Sequence, residues 1–304
     1  MRNTFFSGLL FLGTATAAVA QTVIATPPAA AVANIRNNNI RNINNMPVVD
    51  ATAIGQGYSY DYSDRQIDDA DLKSKEVSKE IATPKSGDIY IENSYRSIVV
   101  KTWDQQKVKV TTTVYFEGES KLTDDEWLEK VNLSLKTLGN SIKIKSGGIN
   151  GGAFYSYNGN SLFSSGSGGV AVFNGEGHNV GTKTNMKRIL TITVPVGSKL
   201  DIESKYADVT LPAGITDLNV DITNGNLETD NLNKLILRSK YSNANVGDIK
   251  TAELEFTNGR FSAKNIDDLD IDSKYSTIEM AAAKKLVMRS TNDEYEIEEA
   301  GEVR

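Results

Sequence analysis

The fold is decided by four stretches that begin 17 residues apart: LNVDITNGNLET (218–229), LILRSKYSNANV (235–246), AELEFTNGRFSA (252–263) and LDIDSKYSTIEM (269–280). Their apolar residues recur at the same places, so that one column reads Val220, Leu237, Leu254, Ile271. A fixed short period means that each unit must stack on its neighbours to bury its apolar face. The stretches therefore predict a solenoid.

Alternation inside each stretch distinguishes strands from helices. Apolar and polar residues alternate in Leu269-Asp270-Ile271-Asp272, which is the two-residue period of a half-buried strand. We therefore predict an all-β fold, a single-stranded-coil β-solenoid (β-helix) with about 17 residues per coil. Further columns of the same period complete the predicted core: Leu227, Ala244, Phe261, Ile278, and at a bend Ile215, Leu232, Ile249, Ile266, Ala283.

A second repeated pattern lies at one corner of the coils. Ser-Lys-Tyr alternates there with Thr-Asn-Gly, at 204–206, 223–225, 239–241, 257–259 and 273–275. Two positions before each tyrosine stands a serine, where the other coils carry Ile222 and Phe256. Close packing of stacked layers pairs a large residue with a small one. We therefore expect the tyrosines to point inward and to fill the space beside the serines.

The outward alternative makes the same corner a binding site. Tyrosine rings two coils apart and flanked by lysines would stack on sugar rings or dock a partner protein. The candidate binding residues are Tyr206, Tyr241, Tyr275, Lys205, Lys240 and Lys274.

The first part of the chain carries no solenoid pattern. Residues 1–20 have an apolar centre and end in Ala-Val-Ala, which predicts a cleaved signal peptide. Residues 21–85 are rich in Asn, Ala and Pro and lack apolar periodicity, so we predict a disordered spacer there, with transient helix at 68–80. The solenoid domain is predicted to span 86–304.

One coil is separated from the others by a long insertion. Ile89, Ile91 and Val100 repeat the spacing of the coil that contains Leu200 and Ile202. We therefore expect the first coil to begin near residue 88 and to stack on a coil that lies far away in the sequence.

The insertion is predicted to contain one helix and one loop excursion. Thr123 and Glu126 form a capping box, which predicts the start of an amphipathic helix. Its apolar side would cover the open end or an edge of the strand stack with Trp127, Val131, Leu135 and Leu138. A glycine-rich stretch at 146–179 then predicts a long loop or hairpin.

Composition excludes several classes of function. The chain has no cysteine, so it has neither disulfides nor thiolate metal sites. A net charge of −6 provides no basic surface for nucleic acid. The single histidine, His178, lies in the glycine-rich stretch without suitably spaced partners. We predict no catalytic residue, no metal site, no cofactor and no membrane span after the signal peptide.

A carbohydrate-active β-helix enzyme is the main alternative. A glycosidase needs two carboxylates in one cleft, and the chain places Asp267, Asp268, Asp270 and Asp272 close together in sequence. Because Asp270 and Asp272 alternate with inward apolar residues, we expect them to face solvent as a polar row.

The chain also resembles a known family. IYIENSYRSIVVKTWD (89–104), LTITVPVG (190–197) and coils such as DIESKYADV (201–209) are similar to the bacterial adhesin-like β-solenoid family, exported domains of unknown function that are common in Bacteroidetes. The likeness covers residues 88–304 and departs from the family at the Ser-Lys-Tyr and Thr-Asn-Gly corners. It implies adhesion or an envelope-surface interaction and supplies no active-site residue.

These features predict a non-enzymatic exported protein with a rigid surface, located in the periplasm, at the cell surface or outside the cell. Its expected partner is a surface protein or a glycan. A third possibility is an envelope sensor or accessory protein whose solenoid binds another protein.

Overall fold

The computed structural model describes residues 72–84, 87–147, 155–157, 160–162, 169–183 and 186–304. The predicted signal peptide and most of the predicted spacer lie outside the described residues. Within them the chain is an all-β solenoid with a repeat of about 17 residues and about 6 turns, which confirms the predicted fold class.

The strands in chain order are β1 (Leu72–Ala82), β2 (Ile89–Ser94), β3 (Ser97–Trp103), β4 (Lys107–Glu117), β5 (Leu133–Leu138), β6 (Ser141–Ser146), β7 (Tyr155–Tyr157), β8 (Asn160–Leu162), β9 (Val170–Phe173), β10 (Asn179–Lys183), β11 (Ile189–Pro195), β12 (Lys199–Lys205), β13 (Val209–Leu211), β14 (Asp217–Thr223), β15 (Asn226–Thr229), β16 (Leu232–Lys240), β17 (Asn243–Val246), β18 (Ile249–Thr257), β19 (Arg260–Lys274), β20 (Thr277–Thr291) and β21 (Glu294–Val303). One helix, α1 (Asp124–Lys130), lies between β4 and β5 in the described part of the chain.

Two parallel faces run the length of the solenoid. The first face stacks β2, β12, β14, β16 and β18, followed by the second halves of β19 and β20. The second face stacks β3, β13, β15 and β17, followed by the first halves of β19 and β20 and then β21. Each coil therefore contributes one strand to each face and turns a corner between them.

The core lies between these faces and follows the predicted columns. Val220, Leu237 and Ile271 have no exposed surface, and Phe261 has none either. Full burial of such a side chain stabilises a fold by about 1.5–3 kcal/mol relative to exposure. A repeated coil supplies this contribution again in every layer, so the stack is held mainly by its apolar columns.

The first coil docks where its spacing predicts. Ile91 pairs in parallel with Ile202 on the first face, and Ile98 pairs with Val209 on the second. The intervening insertion extends the N-terminal end of the stack, because β6 pairs with the outer edge of β2 and β11 with that of β3. Beyond them β5 pairs with β6, β4 pairs with β11, and β1 pairs with β4, all antiparallel.

Helix α1 covers this end of the solenoid. Its capping box is present, with Thr123 as the N-cap and Glu126 at the third helical position. Trp127 is fully buried, and its ring centroid lies 5.4 Å from that of Phe116 and 5.5 Å from that of Phe173. The helix thus shields the apolar interior from water, as its amphipathic pattern predicts.

The predicted extent of the helix is wrong. The chain leaves the helix after Lys130, Asn132 adopts a left-handed φ of 54°, and Leu133–Leu138 forms β5 instead. Leu133 and Leu135 are buried at alternate positions, whereas Leu138 is 64% exposed. Tertiary pairing with β6 therefore overrides the helical spacing of these leucines.

The predicted start of the folded domain at residue 86 is also corrected. Leu72–Ala82 forms β1, which pairs with β4 over its whole length, so this part is neither spacer nor helix. Lys75 and Lys79 lie on the same side of β1 as the buried Val77, so the sequence does not show the alternation of apolar and polar residues that is typical of a strand. Lys75 pairs with Asp124 of α1 at 2.8 Å, and Lys79 pairs with Asp125 at 2.7 Å.

The glycine-rich excursion is partly described. It contains the short hairpin of β7 and β8, and its last part, β9, pairs antiparallel with β10. β9 also joins the edge of β4 through Phe116 and Phe173. Residues 148–154, 158–159 and 163–168 of the predicted excursion lie outside the described residues.

Removing β1 should destabilise the domain. A chain that begins at residue 87 loses the burial of Val77, which has no exposed surface, and that burial alone is worth about 1.5–3 kcal/mol. A chain that begins at residue 71 keeps β1 and is the matched control. Urea unfolding of the two chains measures the difference, and equal stabilities would contradict a structural role for β1.

Candidate binding surface

A left-handed backbone conformation recurs at the corner between the two faces. One residue per coil has a φ between 53° and 65°: Tyr95, Tyr206, Asn224, Tyr241, Asn258, Tyr275 and Asn292. The backbone N–H groups of the first six donate to the next coil; Tyr206 donates to the Thr223 carbonyl and Tyr241 to that of Thr257, both at 2.9 Å. The corner is therefore set by the backbone and repeats whether the residue is Tyr or Asn.

The corner tyrosines face solvent, so the predicted inward packing is wrong. Tyr206, Tyr241 and Tyr275 are 55%, 63% and 59% exposed. The serines two positions earlier are buried, and the large residue that packs beside them comes from the neighbouring coil. Phe256 pairs with Ser239 on one side and with Ser273 on the other. Large and small residues thus alternate along a single inward column, which leaves no space for the tyrosines.

Tyrosine is an unfavourable residue for this backbone conformation. A left-handed φ costs an ordinary residue about 1–2 kcal/mol, whereas Asn tolerates it because its short side chain bonds locally. Asn224, Asn258 and Asn292 occupy the same corner in the intervening coils. The fold therefore does not depend on tyrosine there, and an exposed residue held in this conformation is a candidate functional residue.

A fourth tyrosine extends the row into the first coil. Tyr95 is 51% exposed and stacks on Tyr206, with ring centroids 5.2 Å apart and an interplanar angle of 7°. Neighbouring coils lie about 4.8 Å apart, so the next two tyrosines follow at intervals of about 9.6 Å. We call Tyr95, Tyr206, Tyr241 and Tyr275 the tyrosine ridge. Tyr95 is missing from the sequence-based candidates because it follows Asn-Ser, although its position in the coil matches that of Tyr206.

The three candidate lysines flank the ridge and are exposed, but their electrostatic settings differ. Lys205 donates to Glu203 at 2.6 Å, and this hydrogen bond raises the pKa of Lys205. Within the described residues, Lys240 and Lys274 form no ion pair. The ridge therefore offers aromatic faces beside two ammonium groups that are free to meet a ligand.

The carboxylates considered for glycosidase chemistry are tied to basic residues. Asp270 and Asp272 alternate with the buried Leu269 and Ile271, as predicted. Arg289 lies between the two carboxylates, 2.5 Å from Asp270 and 3.8 Å from Asp272. This geometry is that of a surface ion-pair row.

A groove of about 580 Å³ lies at the bend of the solenoid, above Leu232, Ile249 and Ile266. It contains two carboxylates, Asp248 and Asp267. Asp248 accepts hydrogen bonds from the amide groups of Asn265, and Asp267 pairs with Lys284 at 2.6 Å. Both carboxylates are therefore engaged in contacts between neighbouring coils.

Two further expectations concern metals and membranes. His178 is exposed at the turn between β9 and β10, with its Nδ1 3.5 Å from Glu176. Across the described ranges, no group of three or more His, Cys, Asp or Glu side chains has the geometry to hold a metal ion. No helix in the same part of the chain has both the length and the apolar content needed to cross a membrane.

Comparison with known proteins gives similar solved structures but no family assignment. No protein-family model and no curated protein matches the chain. Among solved structures it is similar to a "putative adhesin" from Bacteroides fragilis (13% identity, TM-score 0.35, covering 76% of this chain and 97% of that one). It is also similar to a "putative cell adhesion protein" from Clostridium sporogenes (11% identity, TM-score 0.34, covering 76% of this chain and 97% of that one). A third similar structure is that of a "putative lipid binding protein" from Parabacteroides distasonis (10% identity, TM-score 0.29, covering 77% of this chain and 95% of that one).

The first two names agree with the family that the sequence resembles. At identities and TM-scores this low, however, the likeness carries no conclusion about the ligand, and the fold rests on the strand pairing itself.

Proposed function

We propose that this protein is a non-enzymatic, exported, adhesin-like protein that binds an extracellular glycan along the tyrosine ridge. One observation supports this most directly. Four exposed tyrosines occupy a strained corner position that Asn fills in the intervening coils. Since the fold does not need the rings, we attribute their presence to contact with a partner.

The chemistry of the ridge suits a chain of sugars. A tyrosine ring presents a flat apolar face and a polar hydroxyl, and it loses little conformational entropy on binding. Rings spaced about 9.6 Å apart would meet every second sugar of an extended chain. The ammonium groups of Lys240 and Lys274 would pair with hydroxyl or carboxylate groups between the rings.

The rigid solenoid supports such binding. Each ring is attached to a corner whose backbone is held by hydrogen bonds between coils. A preformed row of contacts avoids the entropy cost of ordering the site when the ligand binds. The predicted signal peptide and spacer would deliver this surface outside the cytoplasm and hold it away from an anchor point.

Replacing tyrosine by asparagine separates binding from folding. We expect the triple variant Tyr206→Asn, Tyr241→Asn, Tyr275→Asn to unfold within about 0.5 kcal/mol of the wild type, or to be more stable, because Asn suits the left-handed corner. Affinity for a bound oligosaccharide should fall by about 1–3 kcal/mol, roughly fivefold to 150-fold, for each ring removed. A panel of neutral and acidic oligosaccharides, followed by titration calorimetry, measures this loss.

Tyr90 provides the matched control, since it is an exposed tyrosine on strand β2 that lies outside the ridge. Tyr90→Thr should leave glycan affinity unchanged. Retention of glycan binding by the triple variant would refute the ridge as the site. A wild-type protein that binds no oligosaccharide, but captures a protein through the same tyrosines, would replace the glycan by a protein partner.

A further inference from the structure

A buried arginine lies directly after the first tyrosine of the ridge. Arg96 is only 3% exposed. Its Nη1 donates to the Ser146 hydroxyl and to the Gly147 carbonyl, each at 2.8 Å, and its Nη2 donates to the Val131 carbonyl. These bonds use three of the five N–H groups of the guanidinium, and none of the three acceptors is charged.

A second arginine, Arg188, lines the same small cavity as Arg96. Arg188 is half-buried and donates from Nε to the Gly169 carbonyl. Burial, and then the nearby charge of Arg188, lower the pKa of Arg96 to about 10. Arg96 is therefore still a cation at neutral pH, and two like charges share one poorly solvated region.

No carboxylate in the described part of the chain pairs with either arginine. The sequence has no Asp or Glu from Lys130 to Gly175, nor from Thr182 to Leu200, which are the segments that carry Arg188 and the acceptors of both arginines. A buried charge without a counter-charge destabilises a fold, so a counter-ion from solution would stabilise this one.

The space beside the arginines limits what that ion can be. Both side chains line a cavity of about 20 Å³, whose other walls include Thr112, Val131 and Phe173. A volume of about 10–15 Å³ is enough for one water molecule. The cavity therefore has room for one particle of roughly that size and excludes oxyanions such as phosphate or sulfate.

We infer that this cavity binds a monatomic anion, chloride or another halide, between Arg96 and Arg188. The ion would join the corner after Tyr95 to three parts of the N-terminal end: the end of α1, the end of β6 and the segment before β11. It would thereby fix the first ring of the tyrosine ridge relative to helix α1 and the strands of the N-terminal insertion. The inference is independent of the glycan proposal, because it concerns an interior cation pair.

The test compares melting temperatures of the mature chain in sodium chloride or bromide with those in sodium gluconate at equal ionic strength. Gluconate is too large for the cavity. We expect a saturable rise of about 2–4 °C in halide, and we expect Arg188→Gln to abolish this rise whatever its own stability. Arg238→Gln removes an exposed arginine that pairs with Glu255 and should leave the rise intact.

A second measurement does not depend on the stability of a variant. Wild-type crystals grown in bromide should show an anomalous scattering peak between the two guanidinium groups. Equal melting in halide and gluconate, or the same halide response in Arg188→Gln, would overturn the inference. A cavity that contains water and no bromide would do so as well.

Discussion

Replacing Phe261 by alanine should lower the free energy of unfolding by about 3–5 kcal/mol. The ring has no exposed surface and lies 6.1 Å from that of Phe256. Its neighbours in the same column are Ala244 on one side and Ile278 on the other. Ala244 is too small to fill the cavity that would be left, and the stacked backbones prevent the coils from closing over it. Urea unfolding followed by circular dichroism measures the loss.

Glu255→Ala is the control for this substitution. Glu255 lies on the outer face of β18 and contacts Arg238 at 3.7 Å, both side chains being largely exposed. An exposed ion pair contributes about 0–1 kcal/mol, so the variant should stay within about 0.5 kcal/mol of the wild type. If the two substitutions cost the same, the assignment of inward and outward columns is wrong.

Trp127→Ala should be comparably destabilising, by about 3–5 kcal/mol, because it opens the N-terminal cap. The indole is fully buried between Phe116 and Phe173. Its Nε1 has no hydrogen-bond partner among the described residues. Packing, rather than a polar contact, therefore fixes this residue, and Trp127→Phe should recover more than half of the lost stability.

Leu138→Ala is the matched change at an exposed apolar residue of the same insertion. It lies at the end of β5, and we expect a cost below about 0.5 kcal/mol. Hydrogen exchange adds a spatial readout, since Trp127→Ala should release amide protection in β1 and β4 before it does so in the distant coils. A uniform loss of protection along the whole stack would contradict a local role for the cap.

The repeat columns could be predicted from sequence because every coil buries apolar residues at the same positions. Leu218, Leu235 and Leu269 occupy equivalent places, so one coil supports the interpretation of the next. The insertion offers no such repetition. Leu135 shows helical spacing and strand alternation equally well, and only its pairing with Ile144 of β6 decides between them.

The two main corrections have physical causes that a single sequence conceals. Lys75 and Lys79 give β1 the polar composition of a spacer, because their ion-pair partners lie on α1, far away in the sequence. The sequence predicts that the tyrosines pack against serines of their own coil, whereas Phe256 of the adjacent coil occupies the space beside Ser239. In both cases a contact between elements, and not a local preference, determines the structure.

The insertion between the first two coils affects the order in which the domain folds. Consecutive coils from β14 onward meet their neighbours after 17 residues, as Asp248 and Asn265 do. Asn93 and Ser204, on the first two coils, are 111 positions apart. Loop closure over the longer distance costs about 1.7 kcal/mol more in chain entropy. We expect nucleation in the contiguous coils, with β2, β3 and helix α1 docking last, so the contact of Tyr95 with Tyr206 would form late in folding.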